Sequence, residues 1–391
     1  MMMVTESQLA QRFRQEFQHT APLSVRAPGR VNLLGEHTDY NDGFVFPAAI
    51  DREVSVLAAR RSDDQVRAYS LDFSQWSTFN LKSFQSDREA TWSNYLRGVV
   101  SEYQKRGLEV PGMDLMITGN VPIGAGLSSS AAVEVAIAEV IRVLGGLPID
   151  KTDMAVLCQA AERGFVGVQC GIMDQFISTL AQKDTAMFLD CRDLSFSLIP
   201  LHFDAKIVVC DTRVQRALGS SEYNKKRAAC EEAVRLLRPR LGNIRALRDV
   251  QLEQLNGNRS LLSELHYKAA HHVVAENERV LRGVELLRRT QVELFGELLY
   301  QSHQSLRDDY RVSCPELDLL VDLARKQTGT LGARMTGAGF GGCTVNLVRT
   351  GEVERFQKEV ARGYEESTGR EPFICVCVPS QGVTSTMIQG P

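Results

Sequence analysis

The sequence predicts an α+β protein of two domains. Its 391 residues exceed one typical small domain and fit two comfortably. Strands and helices alternate without the strict βαβ rhythm of a doubly wound sheet. Composition also shifts near Pro200, from short strands between turns to long helical stretches of alternating charge. The predicted domains are residues 1–200 and 201–391.

In the first of these, residues 23–27 read as a strand ended by Pro28-Gly29, and 54–59 and 66–71 as further strands between turn residues. Residues 114–121 form another, closed by Pro122. A glycine-rich turn follows, then an apolar helix over 130–144 stopped by Gly145-Gly146. A helix over 152–164 and another starting near Met173 complete the half. Beyond the shift, 206–210 is an apolar strand, 222–248 and 261–306 are helical, and strands return at 342–348 and 373–378 around a helix over 353–364.

Hydrophobic residues make up 43% and charged residues 24%, which supplies an ordinary core and excludes general disorder. A net charge of −3 gives no basic field for nucleic acid or acidic lipid. The basic cluster Lys225, Lys226, Arg227, Arg235, Arg238, Arg240, Arg245 and Arg248 is interrupted by Glu231 and Glu232 and reads as a solvated helix face. Residues 1–20 are polar and of mixed charge, unlike a secretory signal, and no stretch approaches the ~20 apolar residues of a spanning helix. Nine cysteines, an odd number without a Cys-x-x-Cys pair, predict reduced thiols and a cytoplasmic protein. Cys375 and Cys377 alternate along an apolar strand and read as core packing.

Four segments carry chemistry. In Asn120-Val-Pro-Ile-Gly-Ala-Gly-Leu-Ser-Ser-Ser-Ala-Ala132, Gly124 and Gly126 let backbone approach a ligand. Ser128, Ser129 and Ser130 open a helix whose free N–H groups favour anions. That is a phosphate cradle, or else a plain capped turn. It lacks the lysine of a Walker A loop and the third glycine of the dinucleotide fingerprint. A second cluster, Thr336-Gly-Ala-Gly-Phe-Gly-Gly342, reads as close approach to a ligand or to the first loop. Residues 27–43 hold Arg30, Asn32, Glu36, His37, Asp39, Tyr40, Asn41 and Asp42, either a site for a polyhydroxy substrate or a polar surface turn. Within it, Asn41-Asp42-Gly43 reads as surface turn. Asp174 opens a helix, where the dipole favours its ionised form, but on local grounds alone an ordinary N-cap aspartate is the better reading. Glu162 is a candidate magnesium ligand or a solvated residue. His271, His272 and Glu276 lack a third ligand at useful spacing and, like His303, read as structural.

Together these segments resemble the galactokinases of the GHMP kinase family. The resemblance rests on Pro28-Gly-Arg-Val-Asn-Leu-Leu-Gly-Glu-His-Thr-Asp-Tyr-Asn-Asp-Gly43, Pro122-Ile-Gly-Ala-Gly-Leu-Ser-Ser-Ser-Ala-Ala132 and Cys170-Gly-Ile-Met-Asp-Gln-Phe176. Ser221-Glu-Tyr223, Ser305-Leu-Arg-Asp-Asp-Tyr310, Ser313-Cys-Pro-Glu-Leu-Asp318 and Arg334-Met-Thr-Gly-Ala-Gly-Phe-Gly-Gly342 extend it in family order along nearly the whole chain. The phosphate loop marks the superfamily; the first block is the specific one.

The resemblance implies a two-domain GHMP kinase fold with its active site in the cleft between the domains. It implies phosphorylation of the anomeric hydroxyl of galactose by ATP with Mg²⁺. Asp174 and Arg30 would be catalytic. Glu36, His37, Asp39, Gly171 and Tyr223 would bind the sugar. Gly124, Ala125, Gly126, Leu127, Ser128, Ser129 and Ser130 would wrap the ATP phosphates, Trp92 would flank the adenine, and Ser130 and Glu162 would hold magnesium. Galactose and ATP are then the partners, without nucleic acid or membrane, and the expected state is a monomer or weak homodimer. N-acetylgalactosamine kinases and a non-catalytic galactose sensor of the same fold are the alternatives. The unshortened serine loop, Arg30 and Asp174 favour catalysis over the sensor, and the sugar block argues against a mevalonate or homoserine kinase.

Overall fold

The computed structural model of the chain describes residues 5–214 and 219–388. Residues 1–4, part of the N-terminal stretch read above as no signal, and the side chain of Ser221 lie outside the described residues. Helix α1 (Glu6–Phe17) packs Phe13 and Phe17 on the outside of the first sheet. That sheet is built from β1 (Leu23–Leu34), β2 (Phe44–Arg60), β3 (Gln65–Ser70), β4 (Gln75–Asn80), β5 (Met113–Gly119), β6 (Thr185–Asp190) and β7 (Phe196–Pro200). Among the described residues of this sheet only β3 and β5 pair in parallel; the other pairs are antiparallel.

The second sheet is β11-β8-β10-β9, from β8 (Ala205–Asp211), β9 (Thr330–Thr336), β10 (Cys343–Arg349) and β11 (Phe373–Cys377). The chain then returns as β12 (Thr384–Met387) to pair with β1, Leu23 opposite Met387, so the C-terminal end closes the edge of the first sheet. Both sheets feed one large core: Leu23, Val56 and Ile117 of the first cluster with Ile207, Val345 and Cys377 of the second. The mixed α+β architecture matches the expectation.

Helices α2 (Ser93–Lys105), α3 (Ser129–Gly145), α4 (Lys151–Ala161) and α5 (Met173–Leu180) accompany the first sheet. Val135, Ile137, Val140 and Ile141 of α3 have no exposure, each stabilising the fold by about 1.5–3 kcal/mol. That anchors the helix whose first turn faces the cleft. The remaining helices are α6 (Gly219–Leu241), α7 (Leu252–Gly257), α8 (Glu264–Arg288), α9 (Val292–Ser305), α10 (Pro315–Arg325) and α11 (Val353–Thr368). Among the described residues no helix is long and apolar enough to cross a membrane.

Several expectations are corrected. The strand predicted to stop at Pro28-Gly29 continues to Leu34, absorbing Pro28 at a register shift. Gly29 is there for space, because a Cβ would lie 2.6 Å from the Leu127 carbonyl oxygen. The helix expected over 152–164 is α-helical only to Ala161 and widens to a π turn over Glu162–Val166. The stretch 222–248 stops at Leu241 before Gly242, whose φ is +80°, and 261–306 breaks near Thr290, with φ +57°. Asn41 is no surface residue: it is buried and its amide donates to the His37 carbonyl. Lys225, Arg227 and Arg235 do form ion pairs along α6, but Arg248 turns inward, paired with Asp190 and 3.7 Å from the Phe44 ring centroid. Among the described residues no disulfide joins any of the nine cysteines, and the thiols of Cys375 and Cys377 lie 3.8 Å apart, buried on one face of β11.

Candidate active site

A cleft of about 820 Å³ opens where β1, the loop before α3, the loop before α5 and the segment after β9 converge. Its lining includes Arg30, Glu36, His37, Asp39, Trp92, Gly124, Gly126, Ser128, Ser129, Ser130, Glu162, Gly171, Asp174 and Tyr223. With Ala338 also in the lining, residues as far as 308 positions apart in sequence thus meet in one hollow. Ala125 and Leu127 are also predicted members of the site. They are buried outside the lining, and Leu127 contributes its carbonyl to the Arg30 amide at 3.0 Å.

The continuation of β1 past Pro28 is what delivers Arg30. Its Nε donates to Asp174 Oδ1 and its Nη2 to Oδ2, both at 2.8 Å, a two-pronged ion pair. Nη1 donates to the Gly126 carbonyl at 2.6 Å, which ties the guanidinium to the glycine-serine loop. Asp174 stands in the first turn of α5, as its helix position predicts. The Ser128 hydroxyl donates to its Oδ2 at 2.5 Å.

The loop itself holds Gly124 at φ +75° and Gly126 at +83°, backbone that other residues rarely adopt. Among the described residues no atom lies within 4 Å of a Cβ placed at Gly124, so conformation rather than crowding calls for glycine there. Beyond the loop, Ser129 and Ser130 begin α3 and present the helix N-terminus to the cleft.

At the other end, Glu36 Oε1 accepts from the Gly337 amide at 2.6 Å and from the Thr336 hydroxyl at 3.2 Å. Fully buried Arg334 pairs with the same oxygen at 3.2 Å. The second glycine cluster therefore approaches the sugar-type block, and Gly337 and Ala338 also line the cleft. His37 Nε2 lies 3.3 Å from the Ala338 carbonyl, which can only accept, so that nitrogen carries the proton. Nδ1 then accepts from the Tyr40 hydroxyl at 2.7 Å, and Tyr40 meets Tyr310 at 2.8 Å. Burial, with His272 second, lowers the His37 pKa and keeps the ring neutral. Tyr223 packs beside this cluster, 5.5 Å from the His37 ring.

Asp39 is pushed up to about 7, first by burial and then by the charges of Asp174 and Glu36. Glu162 is likewise raised to about 7 by burial and Asp174, with hydrogen bonds from Cys170, Gln175 and Ser130 opposing the shift. Glu162 heads the π turn after α4, and Gln175 Nε2 donates to its Oε2 at 2.6 Å and to buried Glu134 Oε2 at 3.0 Å. A buried carboxylate beside a serine hydroxyl is a hard oxygen donor pair, chemistry that suits Mg²⁺. His272 bonds Ser305 and the Glu36 carbonyl, while Glu276 bonds Ser302 and Gly35 and pairs with Arg279, so both serve the packing behind Glu36.

Sequence reasoning missed Arg334 as the partner of Glu36, the Glu134–Gln175 pair behind Glu162, Phe73 beside Trp92, and Asp72 and Tyr95 elsewhere in the lining. Arg334 and Gln175 stood inside recognised motifs; the others carried no local signal.

Comparison with known proteins agrees along the chain. The galactokinase galactose-binding signature matches residues 11–60, the GHMP kinases N terminal domain residues 94–182, and the GHMP kinases C terminal domain residues 284–366. The chain is 47% identical to a galactokinase of Roseiflexus sp. (strain RS-1), with 98% of each chain covered. It is 43% identical to a galactokinase of Pasteurella multocida (strain Pm70), covering 97% of this chain and all of that one. The solved structure of Lactococcus lactis galactokinase complexed with galactose superposes with a TM-score of 0.94 at 38% identity, covering 97% of this chain and 99% of the other. Methanococcus jannaschii mevalonate kinase shares the fold, with a TM-score of 0.65 at 18% identity over 92% of this chain and 98% of that one.

Proposed function

This chain belongs to the galactokinase family of the GHMP kinases, and from that membership we infer that it transfers the γ-phosphoryl group of ATP to the anomeric hydroxyl of galactose. The observation that carries the reading is the Arg30–Asp174 ion pair, set between the sugar-type block and the glycine-serine loop.

In this reading Glu36, His37, Asp39, Gly171 and Tyr223 hold the sugar with its anomeric oxygen beside Asp174. Gly124 to Ser130 wrap the phosphates through backbone amides, Ala125 and Leu127 acting through the main chain. Trp92 and the neighbouring Phe73 flank the adenine. The sugar oxygen bonds to the γ-phosphorus as the bond to the bridging oxygen of ADP breaks, and the hydroxyl proton passes to Asp174 Oδ1. Arg30 stabilises the charge that builds between base and phosphoryl group. Ser130 and Glu162 would hold Mg²⁺, which when bound neutralises phosphate charge. The closeness of Glu162 to Ser130 supports that assignment.

We assign two domains meeting near residue 200, action on small molecules in the cytoplasm, and a monomer or weak homodimer. The absence of disulfides among the described residues supports the reducing compartment, and a net charge of −3 supports small molecules over nucleic acid. Neither N-acetylgalactosamine phosphorylation nor a sensor role finds support in the galactokinases of Roseiflexus sp. and Pasteurella multocida, 47% and 43% identical to this chain. Galactose-dependent ADP release from Mg-ATP by purified protein, with galactose 1-phosphate identified as product, tests the function. A folded protein that binds galactose without releasing ADP would overturn it.

A further inference from the structure

Ser128 departs from the behaviour of a helix-capping serine. It occupies the N-cap of α3 in the left-handed region, φ 62° and ψ 43°, and makes no side-chain bond to its own helix. Serine is strained there, and such strain persists where the surroundings impose it. A capping hydroxyl would accept from the first-turn amides. This one instead donates to Asp174 Oδ2 at 2.5 Å, across to α5. Ser128 is 8% exposed and still borders the cleft.

The bond changes what Asp174 can offer. Each carboxylate oxygen accepts about two donors. Oδ2 takes both Arg30 Nη2 and Ser128 Oγ, whereas among the described residues Oδ1 takes Arg30 Nε alone. One accepting position therefore stays open, and it is on Oδ1. The unsatisfied first-turn amides of α3 meanwhile stay available for phosphate.

We propose that Ser128 is a positioning residue for the reaction: its hydroxyl saturates Asp174 Oδ2 and reserves Oδ1 for the anomeric hydroxyl, instead of binding ATP phosphate. This rests on the reading of the chain as a galactose kinase. Without the hydroxyl, sugar oxygen bonds either carboxylate oxygen, and the productive arrangement is diluted.

Ser128→Ala and Ser128→Gly in the full chain test the role, because both remove the hydroxyl while only glycine relieves the left-handed backbone. Steady-state rates with galactose and Mg-ATP are measured beside the parent enzyme, with circular dichroism to confirm folding. Both variants are expected to lose roughly 10- to 100-fold in kcat, with ATP KM within about twofold of the parent. A raised ATP KM at unchanged kcat would assign the hydroxyl to phosphate and overturn the proposal. So would loss in the alanine variant with full activity in the glycine variant, since only backbone would then matter. If alanine prevents folding, the glycine variant decides alone. An inactive parent enzyme would instead remove the kinase reading itself.

Discussion

A Cβ on residue 171 would stand 1.8 Å from Oδ2 of Asp39 and 2.0 Å from its Cγ. Gly171 is therefore what allows the Asp39 carboxylate to lie against the backbone leading into α5. Gly171→Ala must push that carboxylate away, and displacements of about 1 Å cost on the order of 10²-fold at a site of this kind. Galactose KM should rise at least about tenfold while ATP KM stays unchanged. Steady-state kinetics with each substrate varied separately checks this.

Asp39 also makes the site pH-sensitive. Its carboxyl moves from the ordinary 3.8 to about 7, by burial first and then by Asp174 and Glu36. Between those values the folded state holds a proton that the unfolded chain has released. Its contribution to stability therefore falls as pH rises through the window from 3.8 to about 7. Asp39→Asn should stabilise the sugar-free protein by roughly 1–3 kcal/mol at pH ~8 and leave it unchanged near pH ~4. Galactose binding should tighten as pH rises through about 7, where the ionised carboxylate accepts sugar hydroxyls. Thermal melts and titration calorimetry across that range would show both slopes, and a reversed slope would contradict them.

Arg334 is the buried countercharge of Glu36, with its Nη1 held by the carbonyls of Asn32 and Leu33 at 3.2 and 3.1 Å. Removing one partner of such a pair strands the other. Arg334→Met should cost about 3–5 kcal/mol in urea unfolding. The double variant Arg334→Met/Glu36→Gln should lose less than the two singles summed. Simple additivity would show that the pair is not coupled.

Glu162→Gln keeps the shape of the Glu162–Gln175 contact and removes the charge that suits a cation. It should weaken Mn²⁺ binding in the presence of a non-hydrolysable ATP analogue, followed by electron paramagnetic resonance, by roughly 10-fold or more. It should also raise the Mg²⁺ needed for half-maximal rate. Unchanged Mn²⁺ binding would remove Glu162 from the metal site.

The legible parts of the protein were those whose reasons are local. Gly124 and Gly126 announce unusual dihedrals, the three serines announce a helix start, and the apolar run behind them announces a buried helix. The sugar-type block stands out by its density of polar groups, but that density fits a surface turn too, and only its resemblance to a family motif marks it as a site. What escaped depends on partners far away in sequence. Pro28-Gly29 reads as a stop until the strand is seen passing beneath Leu127, where Gly29 makes room. Arg334 and Glu36 are separated by 298 positions, and nothing beside either residue names the other. β12 has four exposed residues and no apolar alternation, so only its pairing with β1 defines it as a strand. The π turn that aims Glu162 into the cleft adds one residue to a helical turn without a compositional mark.

The most direct test of the Arg30–Asp174 pair as the reacting centre is galactose-dependent ADP release by Asp174→Asn beside the parent enzyme. Calorimetry on the same samples establishes that the variant still folds and binds galactose. The expected result is intact sugar binding with turnover lowered by roughly 10³-fold or more. A folded variant with full turnover would contradict the assignment and move the chemistry to another group.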